Sequence, residues 1–173
     1  MVGGLVRLES QEMQAAFESF VAIPERLEPM EEIHGRRLVN NLSGTSAEST
    51  RRGVLAFSGT PVSLVMGGDT KGADYAAFAQ TLKEEETQVF GLRSEATEAL
   101  KEHGVVMREF TSAAGASLEA LKNTPVGGVL LFSPGAAFFE SRYVNKNDDK
   151  NVPSFEEIIS LLRSSEPLED QSP

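Results

Sequence analysis

The sequence predicts an α/β domain with a mostly parallel sheet and helices on both faces. Short apolar runs alternate along the chain with longer segments whose apolar residues have helical spacing, and turn-forming residues separate the two kinds of segment. Strands that alternate with helices form βαβ units, and their right-handed crossovers give a parallel sheet covered on both sides. The 173 residues are enough for one domain with a full core.

The amino-terminal part predicts a short helix followed by a hairpin. Residues 10–21 carry apolar side chains at helical spacing behind a Ser10 cap, and Pro24 ends the pattern. Apolar residues between 27 and 39 form two short runs on either side of His34–Gly35. Because this dipeptide tolerates the positive φ angles of a tight turn, the sequence predicts strand, turn and strand here.

The remainder of the chain alternates regularly. Thr45 begins a predicted helix that ends near Gly59, and Asp74 is a candidate cap for the next helix. Residues 165–173 have no periodicity and predict a disordered tail. Between these points the predicted elements are a strand at 62–66, a helix through 82, a strand at 87–92, a helix at 94–104, a strand at 105–110, a helix at 112–123, a strand at 127–132 and a helix at 155–163.

Composition excludes several kinds of partner and chemistry. The net charge of -10 repels phosphate backbones, so we expect no nucleic-acid partner. The absence of cysteine excludes disulfides and thiolate metal sites. The two histidines, His34 and His103, supply neither a catalytic triad nor a histidine cage. The sequence therefore predicts no catalytic residue and no metal ligand in this chain.

The sequence also predicts no contact with a membrane. Its longest apolar run, residues 126–132, is interrupted by glycines and is far shorter than the ~20 residues of a membrane-spanning helix. The first ten residues have no basic region followed by an apolar stretch, so no secretory signal is visible. We expect a cytoplasmic protein.

The first candidate binding loop, residues 67–74, follows a predicted buried strand. Ligands of open parallel sheets bind at the carboxyl ends of strands. Gly67 and Gly68 allow close approach of a ligand, while Asp69 and Lys71 supply charges at the rim. Lys71 is suited to a carboxylate or phosphate, although a tight turn with a solvated lysine explains the same spacing.

The second candidate loop, residues 133–137, has Ser133 as its only polar side chain and equally fits a packing turn. Ser133 does not lie in a G-x-S-x-G nucleophile turn. The oxygen-rich run 145–151 lacks the glycine and glutamate of a calcium loop and is interpreted as a solvated loop. No Walker A string occurs, so the chain alone is not expected to hydrolyse nucleotides.

Four stretches occur in an order and spacing that resemble the C-terminal domain of the Mur ligases, most of all that of the D-glutamate-adding member. They are IPERLEP at 23–29, HGRRLVNN followed by GTSAEST at 34–50, LVMGGDTKGADY at 64–75 and VLLFSPGAA at 129–137. The resemblance extends from about residue 3 to residue 162.

The resemblance implies a Rossmann-like domain of an ATP-dependent ligase. Mur ligases join a carboxylate to an amine through an acyl phosphate, using ATP and Mg²⁺ held by a central ATPase domain. By this resemblance residues 1–24 are a remnant of the central domain and its linker, residues 25–164 are the C-terminal domain, and residues 165–173 are the tail. We expect a fragment that lacks the P-loop and does not catalyse alone.

The resemblance also implies roles for individual residues. Arg26 corresponds to an arginine that reaches the ATP phosphates, and Asn41 stands where the family has an aspartate near the nucleotide. Thr45 and Lys71 correspond to residues that contact the acceptor, a small molecule that is an amino acid or another carboxylate. The residues expected to shape the surrounding loops are Gly67, Gly68, Asp69 and Ser133.

Several positions depart from the family pattern. Ser43 replaces a lysine, Phe138 replaces a serine that helps to hold D-glutamate, and the Arg-Gly of the last loop is missing. Because a dicarboxylate needs its charges met, these changes indicate an acceptor other than D-glutamate. Two alternatives stay open beside cell-wall synthesis: a Mur-like ligase of another pathway, such as ring closure on the nickel porphinoid coenzyme of methanogens, and a non-catalytic Rossmann-like binding module.

Overall fold

The structure is a computed structural model that describes residues 23–137 and 154–165. The predicted helix at 10–21, the solvated loop at 145–151 and the tail beyond residue 165 lie outside the described residues. Phe138, one of the positions that depart from the family pattern, also lies outside them.

Six strands and five helices make up the described part of the chain. The predicted alternation is present throughout, but α1 ends at Leu55 instead of near Gly59, and the strand predicted from residue 105 begins at Met107. The elements are β1 (Glu28–Ile33), β2 (Arg36–Asn40), α1 (Ala47–Leu55), β3 (Val62–Met66), α2 (Ala76–Glu84), β4 (Gln88–Leu92), α3 (Glu95–Glu102), β5 (Met107–Phe110), α4 (Ala113–Asn123), β6 (Val129–Phe132) and α5 (Phe155–Ser164).

The strands form one sheet in the order β1-β2-β6-β3-β4-β5. β1 is antiparallel to β2, and all the other pairs are parallel. The predicted α/β class with a mostly parallel sheet is therefore confirmed. β6, the last strand along the chain among the described residues, lies between β2 and β3, so the chain reverses its direction across the sheet at this point.

Serine side chains begin four of the helices. Ser46, Ser94, Ser112 and Ser154 each accept a hydrogen bond from the backbone amide three residues later, which satisfies an amide that the helix leaves without a partner. α2 differs from the prediction, because Tyr75 occupies its cap position. Asp74 lies one residue earlier, and its Oδ1 accepts from the Ala76 amide at 2.8 Å.

Alternating strand residues divide the core into two layers. Leu64 and Met66 of β3 face the layer formed with α1, α2 and α3, and Val65 faces the layer formed with α4 and α5. All five residues of β3 and all four of β6 are buried, as expected for central strands covered on both faces. The helices on both faces that the sequence predicts are therefore present.

The hairpin between β1 and β2 turns at His34 and Gly35, with φ angles of 50° and 75°. Two successive positive φ angles give the turn that matches the twist of a tight hairpin. The predicted strand, turn and strand are therefore confirmed.

Arg36 joins the hairpin to the helix layer at the amino end of β2. Only 7% of this residue is exposed. Its Nε donates to the carbonyl of Thr124, the residue that ends α4, at 2.8 Å, and its guanidinium also donates to the His34 carbonyl. A cation is favourable here because the carboxyl end of a helix carries partial negative charge.

We expect Arg36→Met to lower the free energy of unfolding by about 2 kcal/mol, because the buried Thr124 carbonyl and the partly buried His34 carbonyl lose a charged donor. Urea denaturation of the chain measures the change. Arg37→Met is the matched control, since Arg37 is exposed on the same strand and the substitution there should be close to neutral. Equal losses for the two variants would contradict the role given to Arg36.

Candidate functional site

The site lies where the chain reverses across the sheet, at the carboxyl ends of β3 and β6. We call this side of the sheet the carboxyl edge. The chain leaves β3 toward α2 on one face, whereas α5, which follows β6 along the chain, packs on the opposite face. Loops that diverge from neighbouring parallel strands leave a crevice between them, and this is where open α/β sheets bind their ligands.

The two loops predicted to form the site lie side by side at the carboxyl edge. The Gly67 amide donates to the Pro134 carbonyl at 3.1 Å. Asp69 and Ala137 exchange both of their backbone hydrogen bonds, at 2.8 and 3.0 Å. These contacts fix the position of the first loop relative to the second.

Gly67 and Gly68 are required by this close approach. Their φ angles of 153° and 138° lie in a region that L side chains rarely adopt. A Cβ at Gly68 would lie 2.5 Å from the Ala137 carbonyl oxygen. The role in shaping the loop that the sequence assigned to the glycine pair is consistent with this geometry.

The charged residues of the first loop differ in their surroundings. Lys71 is exposed at the loop tip with φ of 50°, whereas Asp69 is 7% exposed. Thr70, between them, donates from its amide and from its hydroxyl to Oε2 of Glu95, each at 3.2 Å. The Ala96 amide also donates to the Gly68 carbonyl at 3.1 Å, so the start of α3 holds the loop in place.

Tyr75, which directly follows the first loop, is hydrogen-bonded to the second loop. Its hydroxyl donates to the Gly135 carbonyl at 2.7 Å, and the residue is 2% exposed. Burial, and to a smaller extent the negative charge of Glu95, raise the pKa of Tyr75 to about 12. The phenol therefore stays protonated and acts as a permanent donor to the second loop.

A third loop, residues 41–46, follows β2, which pairs with β6 on the side opposite β3. Buried polar side chains join this third loop to the second loop. Asn41 Nδ2 donates to Ser133 Oγ at 2.8 Å, and Ser133 Oγ lies 2.6 Å from Thr50 Oγ1. Thr50 donates to the Gly44 carbonyl at 3.1 Å. We call Asn41, Ser133, Thr50 and Gly44 the polar cluster; Ser133 and Thr50 are fully buried.

The lead-in segment, residues 23–27, runs alongside the third loop. The Leu27 amide donates to Asn41 Oδ1 at 3.2 Å, and the Ser43 amide donates to the Glu25 carbonyl at 3.1 Å. These bonds hold the intervening Arg26, which is exposed, next to the carboxyl end of β2.

The residues that the sequence singled out therefore meet at one edge, but in two environments. Arg26, Thr45 and Lys71 are exposed there. Asn41 and Ser133 lie inside, and the polar groups of Asn41 are hydrogen-bonded within the chain. Sequence reasoning missed two side chains that hold this arrangement, namely Thr50 and Tyr75. Their spacing indicated only that they lie on helices, and the hydroxyl of each was the one available signal.

An ion-pair group lies at the start of α1, next to the third loop. Arg51 and Arg52 both donate to the carboxylate of Glu48, each with an N–O distance of 2.7 Å. The hydrogen bond from Arg51, which has the largest effect, and that from Arg52 lower the pKa of Glu48 to about 2. The two arginines are therefore committed to Glu48, which is exposed, and we assign them no place in the crevice.

No group of three or more histidine, aspartate or glutamate side chains in residues 23–137 and 154–165 could hold a metal ion. No helix in the same residues is long and apolar enough to span a membrane.

Sequence comparison finds relatives along nearly the whole chain. The UDP-N-acetylmuramoylalanine–D-glutamate ligase of Geobacter metallireducens is 30% identical over 165 residues, which cover 94% of this chain and 35% of that protein. The ligase of the same name from Pelotomaculum thermopropionicum is 27% identical over 163 residues, covering 90% and 34%. The chain thus spans about a third of the length of the curated relatives it matches. No protein-family model matches it.

Comparison with solved structures independently identifies the fold. A bifunctional folylpolyglutamate synthase/dihydrofolate synthase from Yersinia pestis superposes with a TM-score of 0.54 at 16% identity, over 76% of this chain and 32% of that one. A second structure of this synthase, with Mn, AMPPNP and L-glutamate bound, gives 0.52 at the same identity, over 76% and 33%.

The chain is a Mur ligase homologue and corresponds to the C-terminal domain of that family. The resemblance seen in the four sequence stretches is therefore confirmed. All four stretches contribute to the carboxyl edge: the lead-in segment, the third loop and the first and second loops of the crevice.

We expect Gly68→Ala to lower the free energy of unfolding by about 2 kcal/mol or more, because the new Cβ would overlap the second loop. Gly72→Ala in the same loop is the control. Its φ of 74° is also positive, but no atom lies within 4 Å of the added Cβ, so only backbone strain of about 1 kcal/mol applies. Urea denaturation compares them, and equal costs would contradict the close packing of the two loops.

Proposed function

We propose that this chain is the acceptor-binding domain of an ATP-dependent ligase that forms a carbon–nitrogen bond through an acyl phosphate. In this proposal it works with an ATPase domain, which supplies ATP and Mg²⁺. The observation that supports it most is that Lys71, Thr45 and Arg26 are all exposed at the carboxyl edge of a Mur ligase C-terminal fold.

The acceptor would lie between the first and third loops. These loops follow β3 and β2, which lie on either side of β6 about 10 Å apart. The second loop lies between them, and a small molecule above it would reach both. The ammonium of Lys71 would attract the acceptor carboxylate, and the hydroxyl of Thr45 would accept or donate one hydrogen bond. Held in this way, the acceptor amine would be directed at the acyl phosphate, which lowers the entropic part of the barrier.

Arg26 would interact with the phosphate groups. A guanidinium can donate two parallel hydrogen bonds to a phosphate and keeps its charge at any physiological pH. Its place beside the end of β2 separates it from Lys71, so one cation would serve the nucleotide and the other the acceptor. Arg26 would stabilise the negative charge that develops as the acyl phosphate forms.

The charge of the site favours an acceptor with one carboxylate over D-glutamate. Ser43, which replaces a lysine of the family pattern, donates its hydroxyl to Glu25 Oε2 at 3.3 Å, so this position faces an acid and brings no cation. A second carboxylate would have no positive partner at this position and would keep its desolvation cost. We therefore expect an amino acid or another small carboxylate.

The proposed chemistry fits more than one biosynthetic pathway. Cell-wall peptidoglycan synthesis is one setting and matches the names of the relatives. A ligase of another pathway, including closure of a ring on a nickel porphinoid coenzyme, would use the same chemistry with a different acyl substrate. In either case we expect the chain to work in the cytoplasm, where ATP is available, without nucleic-acid or membrane partners.

The test is an NMR titration of the ¹⁵N-labelled chain with a panel of amino acids and simple carboxylates. We expect the amides of residues 67–72 and of Thr45 to shift together. Lys71→Ala should weaken binding at least about tenfold, equivalent to about 1.4 kcal/mol, because the charge that meets the carboxylate is lost. Lys122→Ala removes an exposed cation from α4, on the other face of the sheet, and should leave the affinity unchanged.

Two results would contradict the proposal. Equal affinities for wild type and Lys71→Ala would remove Lys71 from the acceptor site. Binding of a ligand that carries no carboxylate, with no response to any carboxylate, would favour the non-catalytic binding module instead.

A further inference from the structure

Asn41 is the one side chain among the described residues that hydrogen-bonds both to the lead-in segment and to the second loop. Its Oδ1 accepts from the Leu27 amide, and its Nδ2 donates to Ser133 Oγ. The residue is 6% exposed. A rotated amide would set its NH₂ against the Leu27 N–H, so the two neighbours fix the orientation of this side chain.

The hydrogen atoms of the polar cluster can be assigned in one direction. Thr50 gives its hydroxyl hydrogen to the Gly44 carbonyl, so its oxygen accepts from Ser133. Ser133 then accepts from Asn41. The chain of donors thus runs from Asn41 through Ser133 and Thr50 to Gly44, and each hydroxyl in it both donates and accepts.

Close packing leaves this cluster no room to adjust. A Cβ at Gly44 would lie 2.5 Å from Asn41 Nδ2 and 2.7 Å from Ser133 Oγ, and a Cβ at Gly53 of α1 would lie 3.2 Å from the same Nδ2. The Asn41 amide is therefore packed closely against Gly44 and Gly53, and both its oxygen and its nitrogen are hydrogen-bonded within the chain.

The lead-in segment has a backbone that needs such support. Glu25 and Leu27, on either side of Arg26, have φ angles of 60° and 46°. L residues adopt these angles rarely, and a leucine has no local side-chain hydrogen bond to compensate. Glu25 has contacts of its own with Ser43 and Glu28, all of them exposed, whereas the Leu27 amide is bound by Asn41 in a partly buried position.

We propose that Asn41 is a positioning residue, which fixes Arg26 relative to the acceptor crevice through Leu27 on one side and Ser133 on the other. It acts through Arg26 and does not contact the nucleotide itself. The functional part of this inference rests on the proposed function, because it assumes that Arg26 meets phosphate. The mechanical part, which joins Leu27 to Ser133, stands without that assumption.

Hydrogen exchange of the Leu27 amide in the ¹⁵N-labelled chain tests the mechanical part. We expect Asn41→Ala to speed its exchange about tenfold, as for the loss of one hydrogen bond. Ser133→Ala should also speed it, although residue 133 does not contact Leu27. Thr81→Ala is the control, because it removes another buried hydroxyl, one that donates to the Ala77 carbonyl within α2, and should leave Leu27 unchanged.

Asn41→Asp covers the case in which Asn41→Ala does not fold. An aspartate still accepts from Leu27, and Ser133 can reverse its hydroxyl to donate to the new carboxylate. Protection of Leu27 should therefore be retained in this variant. Unchanged exchange in Asn41→Ala, or lost protection in a folded Asn41→Asp, would overturn the inference.

Titration with inorganic tripolyphosphate and, separately, with acetate tests the functional part. In Asn41→Ala we expect tripolyphosphate binding, followed at the Arg26 amide, to weaken at least about fivefold. Acetate binding, followed at Gly68 and Gly72, should not change, because Glu95 and Ala137 hold that loop independently. In an Arg26→Ala background, Asn41→Ala should weaken tripolyphosphate binding no further.

The hydrogen-exchange and anion-titration experiments distinguish a failure of the positioning role from a failure of the proposed function. Equal weakening of both anions would show a merely structural role and overturn the positioning role. If the wild-type chain binds neither anion, the proposed function loses its support, and the exchange of Leu27 alone decides whether Asn41 couples the two segments.

Discussion

The hydrogen bonds that β6 forms with β2 on one side and β3 on the other determine where the site of this chain lies. Because β6, the last of the described strands along the chain, pairs between two earlier strands, the loops after β2, β6 and β3 leave the sheet next to one another. The helices that follow β3 and β6 along the chain lie on opposite faces of the sheet, and such a change of face is where open α/β sheets bind their ligands. With β6 at an edge instead, β2 and β3 would be adjacent strands, and the second loop would not lie between the first and third loops.

The crevice has two kinds of residue with different tasks. Its inner layer is the polar cluster with Tyr75, in which every polar group has a partner, and such satisfied networks fix a single geometry. Its outer layer is exposed and carries the cations Arg26 and Lys71. A fixed inner layer beneath exposed charges is the arrangement that a domain needs in order to hold a small anionic molecule in one orientation.

Much of the fold could be predicted from the sequence because its signals are local. Serine caps, the His34–Gly35 turn and the short buried runs each depend on a few neighbouring residues. The position of β6 in the sheet depends on pairing between distant residues, and no local pattern encodes it. The end of α1 was predicted too late because the residues after Leu55 continue in turns, whose composition also suits a helix.

The site could be predicted in part for the same reason. The glycine pair and Lys71 stand together in the sequence and indicated a loop. Thr50 contacts Ser133, which is 83 positions away in the sequence, and Tyr75 contacts Gly135, which is 60 positions away. Local spacing cannot reveal contacts between such distant residues. Asn41 was singled out by resemblance and Ser133 as the only polar side chain of its loop, whereas their hydrogen bond to each other is a property of the folded chain.

The central claim is that a small carboxylate binds at the carboxyl edge between the first and third loops, with Lys71 at the rim. Intermolecular nuclear Overhauser effects between a bound amino acid and the chain test this most directly. The account predicts contacts from one ligand molecule to amides in both residues 67–72 and residues 41–46. Contacts confined to one of these loops, or to a surface away from the carboxyl edge, would contradict it.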